Sequence, residues 1–216
     1  MLRLDNVTYR YKGTEDAVLK SVSCEFTAGQ LSAVTGPSGC GKTTLLSIIA
    51  GMDRPADGEI YIDGQGLSKL NLDRYRREQV AMIFQAYHLF PLLTAIENVC
   101  FPMELNGVSK ADAKANAAGL LMSVGISEQM FKRYPGNLSG GEQQRVAIAR
   151  SLASGAKLLL ADEPTGNLDR ANMHNIMDIL SKLAHESGYC IVIVTHDTEA
   201  AKNSDVIYKM RDGVLS

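Results

Sequence analysis

The run Gly36-Pro37-Ser38-Gly39-Cys40-Gly41-Lys42-Thr43 has the G-x-x-x-x-G-K-[ST] spacing of a phosphate loop. Glycines at these positions let the backbone curl until successive N–H groups face one anion. Lys42 can then reach β- and γ-phosphates, and the Thr43 hydroxyl can ligate Mg²⁺. The flanks supply the context that such a loop requires. Leu31 to Thr35 reads as a short buried strand entering it, and Thr44 to Ala50 as a helix leaving it, stopped by Gly51. The helix start adds its positive dipole end under the phosphates. These residues imply that the chain binds a nucleoside triphosphate.

Other groups suited to chemistry also stand at the ends of apolar runs. Leu158 to Ala161 runs into Asp162-Glu163. Asp162 can hold Mg²⁺, directly or through water, as a Walker-B aspartate does. Glu163 is placed to orient or deprotonate an attacking water, and Pro164 turns the chain away. Ile191 to Thr195 ends at His196, and Val80 to Phe84 ends at Gln85. Leu138-Ser139-Gly140-Gly141-Glu142 precedes a helical run from Gln143 to Ala153, with Ser139 as N-cap of a second anion-binding helix start. One nucleotide does not need two such starts, so the surplus points to a composite site shared between subunits. Cys40 admits two readings. The nearby helix start and Lys42 favour a reactive thiolate, while its variable loop position equally suits a small, inert filler.

These residues need a frame to bring them together. Near-continuous apolar strands indicate a parallel sheet covered on both faces. In such sheets ligands collect beyond the carboxyl ends of the strands, so one pocket would gather the phosphate loop, Gln85, Asp162-Glu163 and His196. Ile176, Ile179, Leu180 and Leu183 follow helical spacing before the His196 strand, and Asn71 to Glu78 reads as a shorter polar helix. Leu2 to Tyr9, Val18 to Phe26 and Glu59 to Ile62 read as strands, the first two alternating as in antiparallel pairs. From about Tyr87 to Gly155 the pattern turns helical. Ser109 to Asp112 resembles a capping box opening an alanine-rich helix that runs to about Val124.

Bulk composition narrows the setting. With 216 residues, 45% hydrophobic and 21% charged, the chain suits one soluble globular domain carrying an insertion. A net charge of −2 gives no global pull toward nucleic acid or anionic lipid. No apolar run approaches the length of a membrane span, and Met1 to Tyr11 alternates instead of forming a signal peptide. The four cysteines, Cys24, Cys40, Cys100 and Cys190, lack metal-ligand spacing. A cytoplasmic location is expected.

The ordered set of Gly36 to Thr43, Gln85, Leu138 to Glu142, Leu160-Ala161-Asp162-Glu163-Pro164, Gly166-Asn167-Leu168-Asp169 and His196 resembles that of an ABC-type ATPase. The resemblance covers essentially the whole chain. It implies an α/β fold: a P-loop NTPase, RecA-like core with a mostly parallel sheet (1–86 and 156–216), an N-terminal antiparallel β subdomain, and an inserted helical subdomain (87–155). It implies ATP and Mg²⁺, with Tyr11 stacked on adenine and Thr44 on the α-phosphate. Thr43, Gln85 and Asp162 would surround the metal, while Glu163, His196, Gln85 and Lys42 serve hydrolysis. It further implies a head-to-tail homodimer, in which Ser139 and Gly141 of one subunit grip the γ-phosphate held by the other and Asn167 to Asp169 link the two sites.

Phe84-Gln85, the stretch Leu89 to Val99 and the run Ala161 to Asp169 are similar to separate ATPase subunits of bacterial transporters. Look-alikes serve macrolide export, lipoprotein release, bacitracin-type peptide resistance and cell division, often driving mechanical motion. An integral membrane permease subunit is therefore the implied partner, placing the chain on the inner face of the membrane. Tyr134-Pro135-Gly136-Asn137 does not match the loop of fused multidrug exporters. Glu142 stands where glutamine is commoner, and a carboxylate there favours the helix dipole. An ABC ATPase acting on DNA or ribosomes is the alternative. Against it, only a short helical stretch separates Gln85 from Ser139, leaving no room for a long coiled coil, and the chain has a single cassette. A small-molecule kinase leaves the Ser139 segment unexplained, and a GTPase would want an Asn-Lys-x-Asp motif that is absent.

Overall fold

The computed structural model describes residues 1–216. Two sheets organise the chain. In the first, β1 (Leu2–Tyr9) lies between β2 (Leu19–Phe26) and β4 (Asp57–Ile62), antiparallel to both, with the short β5 (Gln65–Gly66) on the outer edge. Alternation decides its orientation: Leu2, Leu4, Val7 and Tyr9 point inward while Arg3 and Asp5 face water.

The second sheet has the order β10-β9-β3-β8-β7-β6. Its strands are β3 (Leu31–Thr35), β6 (Val80–Phe84), β7 (Leu158–Asp162), β8 (Cys190–Thr195), β9 (Val206–Arg211) and β10 (Val214–Leu215), parallel except for β10. The apolar runs are buried on both faces, as their composition requires. Leu159, Ala161, Ile191 and Ile193 enter one hydrophobic core, and their neighbours Leu158, Leu160, Val192 and Val194 enter the other. Beneath the second core lie the antiparallel sheet, α1 (Lys42–Ile49) and α2 (Leu72–Glu78); the first is covered by helices α3 (Ala95–Leu105), α4 (Lys110–Ser123), α5 (Gly140–Leu152) and α6 (Arg170–Ser187). A short α7 (Thr198–Ala201) follows β8.

Register brings the strand ends together. Thr35 pairs with Thr195, and Asp162 lies between Phe84 and Val194. The chain therefore leaves β3, β8, β7 and β6 along one edge.

The structure differs from the sequence reading in places. The β9–β10 hairpin was not expected, although Asp212-Gly213 at its turn, with φ of 50° and 83°, is a strong hairpin dipeptide. Helix α5 opens at Gly140, earlier than Gln143, because Ser139 and Glu142 form a reciprocal capping box. At Ser109 the reverse bond is missing: the Ser109 hydroxyl meets the Asp112 side chain, which is too short to reach back to the backbone N–H. A full capping box stands instead at Thr94 and Glu97.

Candidate nucleotide site

Each α-helix but one starts on a capping side chain: Asn71, Thr94, Ser109, Ser139, Asp169 and Asp197. The exception is α1. Its N-cap is Gly41, at φ 110°, with no side-chain bond and no acidic residue in the first turn. That leaves the first N–H groups of α1 for an external anion. Gly36 has a packing reason, since a Cβ there would collide with the Met210 carbonyl.

Around this helix start lies a cleft of about 490 Å³ lined by Tyr11, Val18, Ser38, Gly39, Gly41, Lys42, Thr43, Thr44, Gln85, Asp162, Glu163 and His196. Residues from four strand ends and the loop between β1 and β2 thus converge. Lys42 folds back on the loop, its Nζ donating to the Gly36 and Pro37 carbonyls at 2.9 Å each. The Thr43 hydroxyl donates to Asp162 Oδ1 at 3.2 Å. Burial raises the Asp162 pKa, with the Glu163 charge adding to it and the Thr43 bond opposing it.

Glu163 is held in the left-handed region at φ 47°, its N–H bonded to the Val194 carbonyl at 2.9 Å. For a residue with a side chain this is a strained backbone, held by its surroundings. Its carboxylate accepts from the Thr195 hydroxyl (3.0 Å) and the His196 N–H (3.1 Å), and one oxygen lies 2.7 Å from His196 Nδ1. Gln85 turns toward Asn167: its Nε2 donates to Asn167 Oδ1 at 3.2 Å, and Asn167 Nδ2 donates to its carbonyl at 3.0 Å. Tyr11 is half exposed, packs edge-on against Tyr9, and shares a 2.9 Å hydroxyl contact with Thr44.

Ser139 and Gly141 do not line this cleft. The Ser139 hydroxyl and amide are both engaged by Glu142, and Gly141 packs so closely on Asn172 that a Cβ would strike its amide oxygen. Of the two readings of Cys40, its burial fits the small filler. Its side chain is only 7% exposed and sits in the core beneath the loop, beside Gly36 and Met210, with Sγ 4.0 Å from Lys42 Nζ. At this position the loop curls its side chain inward, so Cys40 can meet phosphate only through its backbone.

Sequence reasoning missed Val18, an apolar wall beside Tyr11, and Thr195, whose hydroxyl steadies Glu163. It also missed Asn98, fully buried in α3. Its side chain accepts from the Phe90 N–H and donates to the Phe90, Leu93 and Thr94 carbonyls, fixing the loop after β6. A lone amide among Ala95, Val99 and Met103 was the available signal.

Residues 19–166 match the ABC transporter family. The chain belongs to that family. It is an ATPase of the ATP-binding-cassette kind, with a mixed α/β core and an antiparallel N-terminal sheet. It is 38% identical over 213 residues to the uncharacterized ABC transporter ATP-binding protein YclH of Bacillus subtilis, covering 99% of this chain and 94% of that one. Identity is 42% to the lipoprotein-releasing system ATP-binding protein LolD of Paramagnetospirillum magneticum, covering 99% and 96%. Among solved structures, the ATP-binding cassette MJ0796 of Methanocaldococcus jannaschii superposes with a TM-score of 0.90 at 39% identity, covering 100% of this chain and 97% of that one. That structure is a dimer in a post-hydrolysis state bound to ADP and Pi.

Proposed function

We propose that this chain hydrolyses ATP as one half of a head-to-tail homodimer and thereby energises an integral membrane permease, in export or mechanical transmission. The observation that carries the reading is the convergence of Lys42, Thr43, Gln85, Asp162, Glu163 and His196 on one uncapped helix start, while Ser139 and Gly141 stay outside the cleft. A site complete for phosphate chemistry on one chain, with a second helix start left over, is explained by a facing copy. The dimeric cassette structures support this, and the lipoprotein-releasing relative supports a membrane partner. No helix is long and apolar enough to cross a membrane, so attachment to the inner face would run through that partner.

In this reading Lys42 exchanges the Gly36 and Pro37 carbonyls for β- and γ-phosphate oxygens, and the loop N–H groups of Ser38 to Thr43 hold the rest. Tyr11 stacks on adenine and Thr44 meets the α-phosphate. The donor set of Thr43 hydroxyl, Asp162 carboxylate and Gln85 amide oxygen consists of hard oxygens, which suits Mg²⁺. Thr43 Oγ1 and Asp162 Oδ1 stand 3.2 Å apart, so the two oxygens would be able to hold one cation between them. When bound, the ion neutralises charge on the phosphates. Glu163 positions and deprotonates the attacking water, and His196 beside it orients the γ-phosphate.

Glu163→Gln tests the reading. It removes the base and keeps the phosphate grip, so ATP binding stays near wild type, turnover falls by at least about 100-fold, and an ATP-bound dimer accumulates on size-exclusion chromatography. Turnover at the wild-type rate would sink the role of Glu163.

A further inference from the structure

The segment after Gln85 is strained, and the helix that starts at Ser139 grips it. Tyr87 and His88 are consecutive non-glycine residues in the left-handed region, at φ 59° and 48°. Side-chain-bearing residues adopt this pair of conformations only where their surroundings enforce it. Arg150, in the last turn of α5, does so. Its Nη1 donates to the His88 carbonyl at 2.6 Å and its Nη2 to the Tyr87 carbonyl at 3.1 Å, with the guanidinium 5.7 Å from the centre of the Phe90 ring. No carboxylate lies within ion-pair distance of Arg150, so these two carbonyls are its hydrogen-bond partners. Its charge is committed to the strained turn.

Tyr87 also touches the opposite end of the same helix. A Cβ on Gly140 would stand 2.8 Å from the Tyr87 hydroxyl, so the absent side chain at Gly140 makes room for that oxygen. Midway, Tyr87 lies two residues from Gln85 in the chain. Further along, Ser151 donates to the Met82 carbonyl at 3.1 Å and fixes α5 to β6, the strand that delivers Gln85. The phosphate-facing glutamine and the helix start at Ser139 are therefore joined by a stiff helix touched near both ends.

We propose that Arg150 is a positioning residue that locks the segment after Gln85 to α5, so that Gln85 and Ser139 of one subunit move as one body. The inference rests on the head-to-tail reading above. Its consequence is that γ-phosphate contact at Gln85 sets the orientation of Ser139 toward the nucleotide of the facing subunit. Nucleotide binding to a single chain does not depend on Arg150, whereas closure of the dimer does. A lysine would not substitute, because one ammonium lacks the planar fork that serves two adjacent carbonyls.

The test uses the full chain in the Glu163→Gln background. Binding of a fluorescent ATP analogue is measured at low protein concentration, and ATP-driven dimerisation by sedimentation. With Arg150→Ala, nucleotide affinity of the single chain stays within twofold and the dimer dissociation constant rises at least tenfold; Arg150→Lys recovers less than a third of that loss. Tyr87→Phe, which keeps both carbonyls and removes only the hydroxyl at Gly140, weakens dimerisation about threefold. Dimerisation of Arg150→Ala as tight as in Glu163→Gln alone overturns the proposal, as does an equal loss in single-chain nucleotide affinity. If both Arg150 variants lose their cooperative melt, Tyr87→Phe decides, and unchanged dimerisation there overturns it. If Glu163→Gln alone stays monomeric with ATP, the head-to-tail reading itself fails and takes this inference with it.

Discussion

Glu163 Oε1 lies 2.7 Å from His196 Nδ1 and accepts the backbone N–H of the same residue at 3.1 Å. The other carboxylate oxygen takes the Thr195 hydroxyl at 3.0 Å. Residues from the ends of β7 and β8 are thus tied together at a strained backbone position, and the carboxylate is aimed before any substrate arrives. Preorganisation of this kind affects the chemical step more than ground-state binding.

His196→Ala is therefore expected to lower kcat about 100-fold, and Thr195→Val about tenfold, with KM for ATP within threefold of wild type in both. Steady-state kinetics decide the matter: a raised KM with unchanged kcat would show that these residues only bind nucleotide.

Asp162 sets up a trade between stability and activity. Burial raises its folded-state pKa, so near neutral pH the ionised carboxylate disfavours the empty folded protein, and that penalty disappears as pH falls through the raised pKa. Asp162→Asn should abolish Mg²⁺-dependent turnover yet raise Tm by about 2 °C at pH 7, on a scale where 1 kcal/mol is worth about 2–4 °C. Water still reaching the group keeps the gain small. Thermal melts across pH should show the gain shrinking in acid; a gain constant from pH 4 to 8 would contradict the burial argument.

At Glu142 the sign is opposite. The Ser139 backbone N–H, donating to the carboxylate at 2.6 Å, is the main cause of its lowered pKa. Its stabilisation is present above the ordinary glutamate pKa and is lost as pH falls through the folded value. Glu142→Gln keeps the acceptor and loses the charge, so it should cost about 0.5 kcal/mol at pH 7 and little at a pH of about 2, well below the ordinary glutamate value of about 4.3. Denaturant titrations at both pH values test this, and ATPase activity should stay within about threefold because Ser139 keeps its cap.

The apolar segment after Gln85 divides into inward and outward residues. Leu89 packs against the core, whereas Leu92 is 87% exposed and Phe90, its ring tilted against that of Phe101 with centroids 4.8 Å apart, is 41% exposed. The outward residues are the ones placed to meet the proposed membrane partner. Leu92→Asp should leave basal ATPase and Tm near wild type while lowering co-purification with the membrane subunit at least tenfold. Leu89→Asp should lower Tm by more than about 5 °C, since it places a charge in apolar packing. Normal co-purification of Leu92→Asp would move the docking surface elsewhere.

What was legible in the sequence is what local chemistry dictates. The phosphate loop needs glycines and a lysine at fixed separations, strands buried on both faces need continuous apolar runs, and a helix start needs Ser139. Those constraints act over a few residues, so Leu31–Thr35, Val80–Phe84 and the Ser139 cap could be read directly. The β9 strand was less legible because more and less buried residues alternate along it, one strand in from the sheet edge, and give a weaker apolar signal than the continuous runs.

Only the tertiary structure decided where side chains on the loop and on distant elements point. Cys40 lies among residues that favour a thiolate, yet the curl that frees backbone N–H groups for phosphate turns its sulfur into the core against Met210. Arg150 reads as an ordinary helical cation until the fold carries it to carbonyls of Tyr87 and His88, more than sixty positions earlier in the chain. Side-chain direction depends on packing between segments far apart in sequence, and periodicity within one segment contains no record of it.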